Sequence, residues 1–153
     1  TVIALSYGPW MVLGSMYLHT GNVSWGALLA SLVPGLLIMA LAVVNAIPDF
    51  HQDRLVGKRN LVVRLGRRPA VWLYLGLAAA GLAVVLGGVV FGVFPMTCLG
   101  ALLATPLLVD SARRAFPTFE QPRQFVAAIR SIVACYGATV SLFIVGLLLR
   151  AWL

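Results

Sequence analysis

Between Arg68 and Asp110 the sequence carries no charged residue, and this run constrains the fold more than any other feature of the chain. A protein of 153 residues cannot hide so long an apolar run from water, because a chain of this size leaves much of its surface exposed. Lipid is the solvent that accepts it, and in lipid a non-barrel chain must satisfy its backbone within helices. A crossing helix needs roughly 20 mostly apolar residues, with about 17 as a lower limit. Five stretches approach that length: residues 1–18, 25–47, 71–94, 95–109 and 132–149. The expected fold is therefore an all-α membrane protein of about five transmembrane helices in one domain, 1–153. The fourth span is short and its start could lie as early as Gly88.

Composition agrees, with 61% hydrophobic residues, 10% charged and a mean hydropathy of +1.01, against about 25% charged for a soluble domain. The net charge of +7 does not indicate nucleic acid, because the basic residues cluster beside the apolar runs. Cys98 and Cys135 lie inside apolar runs and read as small hydrophobes. Thr1 is followed at once by apolar sequence without a basic n-region, so the chain is expected to begin partway into a longer protein.

The basic residues also set an orientation. Arg54, Lys58, Arg59, Arg64, Arg67 and Arg68 fall in a loop at 48–70, and Arg113, Arg114, Arg123 and Arg130 in a second at 111–131. With five spans both loops lie on one side, which the positive-inside rule makes cytoplasmic. The corners at 19–24 and 92–95 carry no Lys or Arg and face the other way.

Two of the four acidic residues sit in the first loop. Asp49 and Asp53 are four apart, so a helix would put both carboxylates on one face, and Pro48 suits its first turn. Like charges at that spacing need compensation, and Mg²⁺ is commonly held by one or two carboxylates together with substrate phosphates. Gly57 permits a turn, after which Lys58 and Arg59 offer donors to phosphate oxygens. Asn45 lies one turn before Asp49. The plainer alternative is a solvated loop in which the aspartates pair with Arg54, Lys58 or Arg59 and the basic run only directs topology.

The whole string, Asn45 through Asp49, Asp53 and Gly57-Lys58-Arg59 to Leu61 and Gly66, resembles the UbiA superfamily of intramembrane aromatic prenyltransferases. It is most similar to the branch that prenylates 1,4-dihydroxy-2-naphthoate in menaquinone synthesis, and weaker similarity extends upstream through Gly8-Pro9, Gly14, Tyr17 and Thr20-Gly21. The resemblance implies a nine-helix bundle in which this chain supplies helices five to nine. It implies Mg²⁺-dependent transfer from a polyprenyl diphosphate to an aromatic acceptor, in the cell membrane of a bacterium or archaeon. Asp49 and Asp53 would be the catalytic metal ligands, with Lys58, Arg59 and Asn45 on the diphosphate. The family's other Asp-rich motif is missing here, so the N-terminal half of the enzyme is an expected partner. Asn60 stands where many relatives have Thr, which blurs the acceptor. Paired aspartates also occur in CDP-alcohol phosphatidyltransferases, but their Asp-Gly stretch is missing upstream of Asp53. The non-enzyme alternative is a membrane fragment or transporter-like subunit with a basic topology loop.

Other polar residues read as structural. His51 is offset from the face of the aspartates, His19 sits in an uncharged corner, and Asp110 with Arg113 and Arg114 makes a local ion pair.

Overall fold

A computed structural model describes the backbone of residues 2–152 and the side chains as far as Leu149. All regular structure among the described residues is helical. The first rod, α1 (2–20), joins Val2–Leu5, a π-helical turn Ser6–Trp10 and Met11–Thr20. Pro9, which lacks an N–H, falls inside that π turn, the usual way for a helix to absorb a missing donor. The turn also carries Gly8 onto α2 (Trp25–Ala46), where an added Cβ would lie 2.7 Å from the Ser31 carbonyl oxygen. Gly35 faces it, and a Cβ there would lie 2.7 Å from the Ala4 carbonyl oxygen. Only a glycine pair lets the two backbones approach this closely, the packing mode on which helices in lipid rely.

Two short helices follow, α3 (Phe50–Leu55) and α4 (Leu61–Leu65), and then the long α5 (Arg67–Val90). After the corner at 91–95, a 3-10 stretch Met96–Ala104 runs directly into α6 (Thr105–Thr118), and α7 (Pro122–Trp152) closes the fold. α2 packs on α1, α5 and α7, while the 96–118 rod fills the space between α5 and α7. Their shared core includes Val33, Leu37, Val44, Val71, Tyr74, Val85, Cys98 and Ile132. Inside it the Tyr74 hydroxyl meets Ser111, whose Oγ donates to the Ala128 carbonyl at 2.9 Å, so the buried polar groups are satisfied between helices.

Among the described residues three helices are long and apolar enough to cross a membrane: Trp25–Ala46, Arg67–Val90 and 122–149 of α7. The expected first and fourth spans are present as rods but are broken by their π and 3-10 segments. The 3-10 stretch explains how a short apolar segment can still reach far. At about 2.0 Å per residue it extends about 18 Å, where an α-helix of that length would give about 13 Å. Thr97 Oγ1 donates to the Gly146 carbonyl at 2.6 Å and Gly146 lies against the Cys98 backbone, which holds the unusual conformation in place.

Three boundaries differ from the sequence expectation. The loop expected at 111–131 is almost entirely helix, because α6 runs to Thr118 and α7 begins at Pro122. α5 begins at Arg67 instead of Val71. Charge ends a membrane-buried segment, but Arg and Ala remain good helix formers, so hydropathy misplaces the helix ends. Pro48 lies outside α3, which starts at Phe50.

Candidate functional site

The chemistry-bearing segment leaves α2 through a tight turn at 47–49. Asp49 occupies the N-cap position of α3 without a side-chain cap bond, and the Asp53 N–H bonds its carbonyl at 2.8 Å. The two aspartates are therefore one helical turn apart, as their spacing requires, but their surroundings differ. Asp49 is exposed, whereas Asp53 is 8% exposed.

Gly57 adopts φ +72°, a left-handed conformation that lets the chain reverse after α3, and the Lys58 N–H returns to the Asp53 carbonyl at 2.9 Å. The reversal brings Lys58 Nζ to 2.9 Å from Asp53 Oδ1. Asn60 Nδ2 donates to the second oxygen, Oδ2, at 2.6 Å. Asn60 also caps α4, its Oδ1 accepting from the Val63 N–H at 2.8 Å. One asparagine thus ties the carboxylate to the start of the next helix. The bonded Asp53 carboxylate raises the Lys58 pKa above the ordinary lysine value, and the Asp49 charge adds to that pull.

The ion pair anticipated for a solvated loop therefore forms between Asp53 and Lys58. Asn45 and Arg59 are exposed, and among the described residues no hydrogen bond or ion pair joins either one to the aspartates. His51 is exposed and meets the Phe50 ring edge-on at 5.3 Å. Asp110 pairs with Arg114 at 2.8 Å, as its i,i+4 spacing suggests, and Ser131 Oγ from α7 also donates to it.

The role of Asn60 was not foreseen. An Asn directly before the apolar run Leu61-Val62-Val63 is an N-cap signal and could have located it. Its bond to Asp53, seven residues upstream, has no sequence signature. Among the described residues, Asn60 is also the one polar residue lining an apolar groove of about 280 Å³, otherwise walled by residues such as Ile3, Met39, Ala42, Val43 and Val62. The polar turn and an apolar channel thus share a wall.

Among the described residues no three His, Cys, Asp or Glu side chains gather as a metal site. Two carboxylates one turn apart still suit a hard cation that takes its other ligands from phosphate and water. Each Asp53 oxygen retains a free lone pair beyond its single bond, and Asp49 is open to solvent.

The profile of the UbiA prenyltransferase family matches residues 1–133. The chain is 30% identical to 1,4-dihydroxy-2-naphthoate octaprenyltransferase of Escherichia coli, over 98% of this chain and 48% of that protein. It is 35% identical to the protein of the same name from Mycobacterium tuberculosis, over 69% of this chain and 35% of that protein. For Bacillus subtilis the figures are 26%, 81% and 40%. The chain spans about half the length, or less, of the curated relatives it matches. No solved structure matches it.

Proposed function

The chain belongs to the UbiA prenyltransferase family, and from that premise we propose that it forms one wall of an active site that moves a polyprenyl group from its diphosphate to an aromatic acceptor such as 1,4-dihydroxy-2-naphthoate. The observation that carries this reading is the Asp53 carboxylate, sunk to 8% exposure at the end of a span and one turn from an open Asp49. An acid that served only solubility would not be lodged there with Lys58 and Asn60 on its two oxygens.

In this reading Asp49 and Asp53 hold Mg²⁺, which when bound would neutralise charge on the leaving diphosphate. Asn60 keeps Asp53 aimed. Lys58 is exposed enough to turn from Asp53 to a diphosphate oxygen, and Arg59 and Asn45, both exposed at the same end, are the next donors. The C–O bond of the allylic diphosphate breaks with its electron pair going to the diphosphate, a ring carbon of the acceptor attacks the freed carbon, and that ring carbon then sheds the substituent it carried, a proton to solvent or a carboxylate as CO₂, to restore the aromatic ring. No protein nucleophile is needed. The apolar groove beside Asn60 suits the hydrocarbon chain of a diphosphate held at the turn. The rest of the site belongs, in this proposal, to an N-terminal half carrying a facing Asp-rich motif, so that this chain forms helices five to nine of a nine-helix bundle. The basic turn faces the cytoplasm and the product serves quinone biosynthesis in the cell membrane.

The test is transfer from a prenyl diphosphate in membranes that hold this chain together with a complementary N-terminal half. Expected are dependence on Mg²⁺ and, for Asp49→Ala with Asp53→Ala, a fall of about a thousandfold, the several kcal/mol that such charge stabilisation supplies. Activity that survived the double change would leave the segment as a topology signal in a non-catalytic membrane subunit.

A further inference from the structure

On another side of the same turn the fold assembles a second polar cleft, and from it we infer a phosphate-binding site at the membrane surface that is separate from the two aspartates. The cleft is open, about 580 Å³, and draws Phe50 and His51 from α3, Arg67 and Arg68 from the start of α5, and Phe119 and Glu120 from the turn between α6 and α7. Neither Asp49 nor Asp53 lines it.

Arg67 is held in place before any ligand arrives. One of its Nη atoms donates to the Glu120 carbonyl at 3.2 Å, and its guanidinium lies 5.3 Å from the Phe50 ring centroid, a cation–π distance. Its Nε is buried and has no hydrogen-bond partner among the described residues. A buried donor without an acceptor is an uncommon and costly arrangement, and a planar guanidinium with one donor already anchored matches a phosphate group. Arg68 is exposed beside it, so two guanidinium groups stand against the single Glu120 carboxylate, and His51 lines the same cleft. The first turn of α5 adds backbone N–H groups that no side chain caps. α5 is long and apolar enough to cross a membrane, which would set its first turn at the membrane surface, where phosphate is plentiful.

Two sources present that chemistry there: the headgroup of an anionic phospholipid, and a free diphosphate. The experiment separates them in metal-free buffer with the intact chain. Retention of phosphatidylglycerol against phosphatidylcholine is counted by native mass spectrometry, and binding of inorganic diphosphate is titrated by phosphorus NMR. Arg68→Gln and Arg67→Lys are compared with Arg113→Gln, which removes an exposed charge elsewhere. The site predicts that Arg68→Gln weakens one of the two ligands about fivefold, the usual worth of a cation near an anionic surface, and the arm that responds names the source. Arg67→Lys, which keeps the charge but loses the fork, weakens the same ligand. Unchanged binding in both arms, or an equal loss in Arg113→Gln, overturns the site.

Discussion

Asp53 and Asp110 each pair with one basic side chain, at 2.9 Å from Lys58 and 2.8 Å from Arg114, yet the two acids are used differently. Asp110 lies on the surface of α6, its side chain 40% exposed, paired with the next turn of its own helix and with Ser131 of α7. Everything it needs is on two long helices that already pack together. The Asp53 side chain is 11% exposed and lies where no long helix continues, and its partners arrive only because Gly57 reverses the chain. A surface acid on a helix is satisfied by its own next turn and by a neighbouring helix already packed against it. A buried acid in a turn must be satisfied by a fold built around it, and such an arrangement leaves room for a neighbour like Asp49 to stay open.

Mutation separates the two acids. The largest expected difference is in stability. Asp53→Ala strips the acceptor from Asn60 Nδ2 and the counter-charge from Lys58, a loss of about 1–3 kcal/mol for a donor left unpaired. Asp110→Ala removes an exposed pair and should stay within the scatter of surface substitutions. Chemical unfolding of the chain in detergent micelles measures both, and equal losses would erase the distinction. Next comes Asn60→Ala, which removes the cap of α4 as well as the second bond to Asp53, at about 1 kcal/mol for the cap. Asn60→Thr keeps a capping oxygen and should recover most of that loss.

The smallest effect is the response to pH, and it sharpens the contrast by sign. The Arg114 guanidinium beside Asp110, together with Ser131, holds its carboxyl below the ordinary value of 3.8. That contribution is complete above 3.8 and is lost as the pH falls through the lowered value. Lys58 is shifted upward from 10.5 by Asp53, so its contribution is complete below 10.5 and fades as the pH climbs beyond it. Thermal melts should therefore be flat between about pH 5 and 9. Asp110→Asn should weaken the acid limb and leave the alkaline limb unchanged, and Lys58→Gln should weaken the alkaline limb and leave the acid limb unchanged.

Much of this was legible in advance. The uncharged run between Arg68 and Asp110 demands lipid and helices, and the spacing of Asp49 and Asp53 put them one turn apart. Hydropathy misjudged the ends of α5, α6 and α7, because it registers where water begins, while a helix continues wherever its residues favour it. It also gave no sign of the π turn at Pro9 or the 3-10 stretch, since both are held by contacts between helices: Gly8 on Gly35, and Thr97 on Gly146.

Lipid as solvent, the helices and the candidate chemistry could all be read from the chain, since transfer free energy and helical spacing act on residues and their near neighbours. Only the tertiary structure decided that Asp53 is the enclosed carboxylate and Asp49 the open one, and that Arg67, from the foot of α5, meets Phe50 and the Glu120 carbonyl in a separate cleft. Those outcomes depend on where Gly57 reverses the chain and on how closely the helices approach, and both are set by packing between residues far apart in sequence.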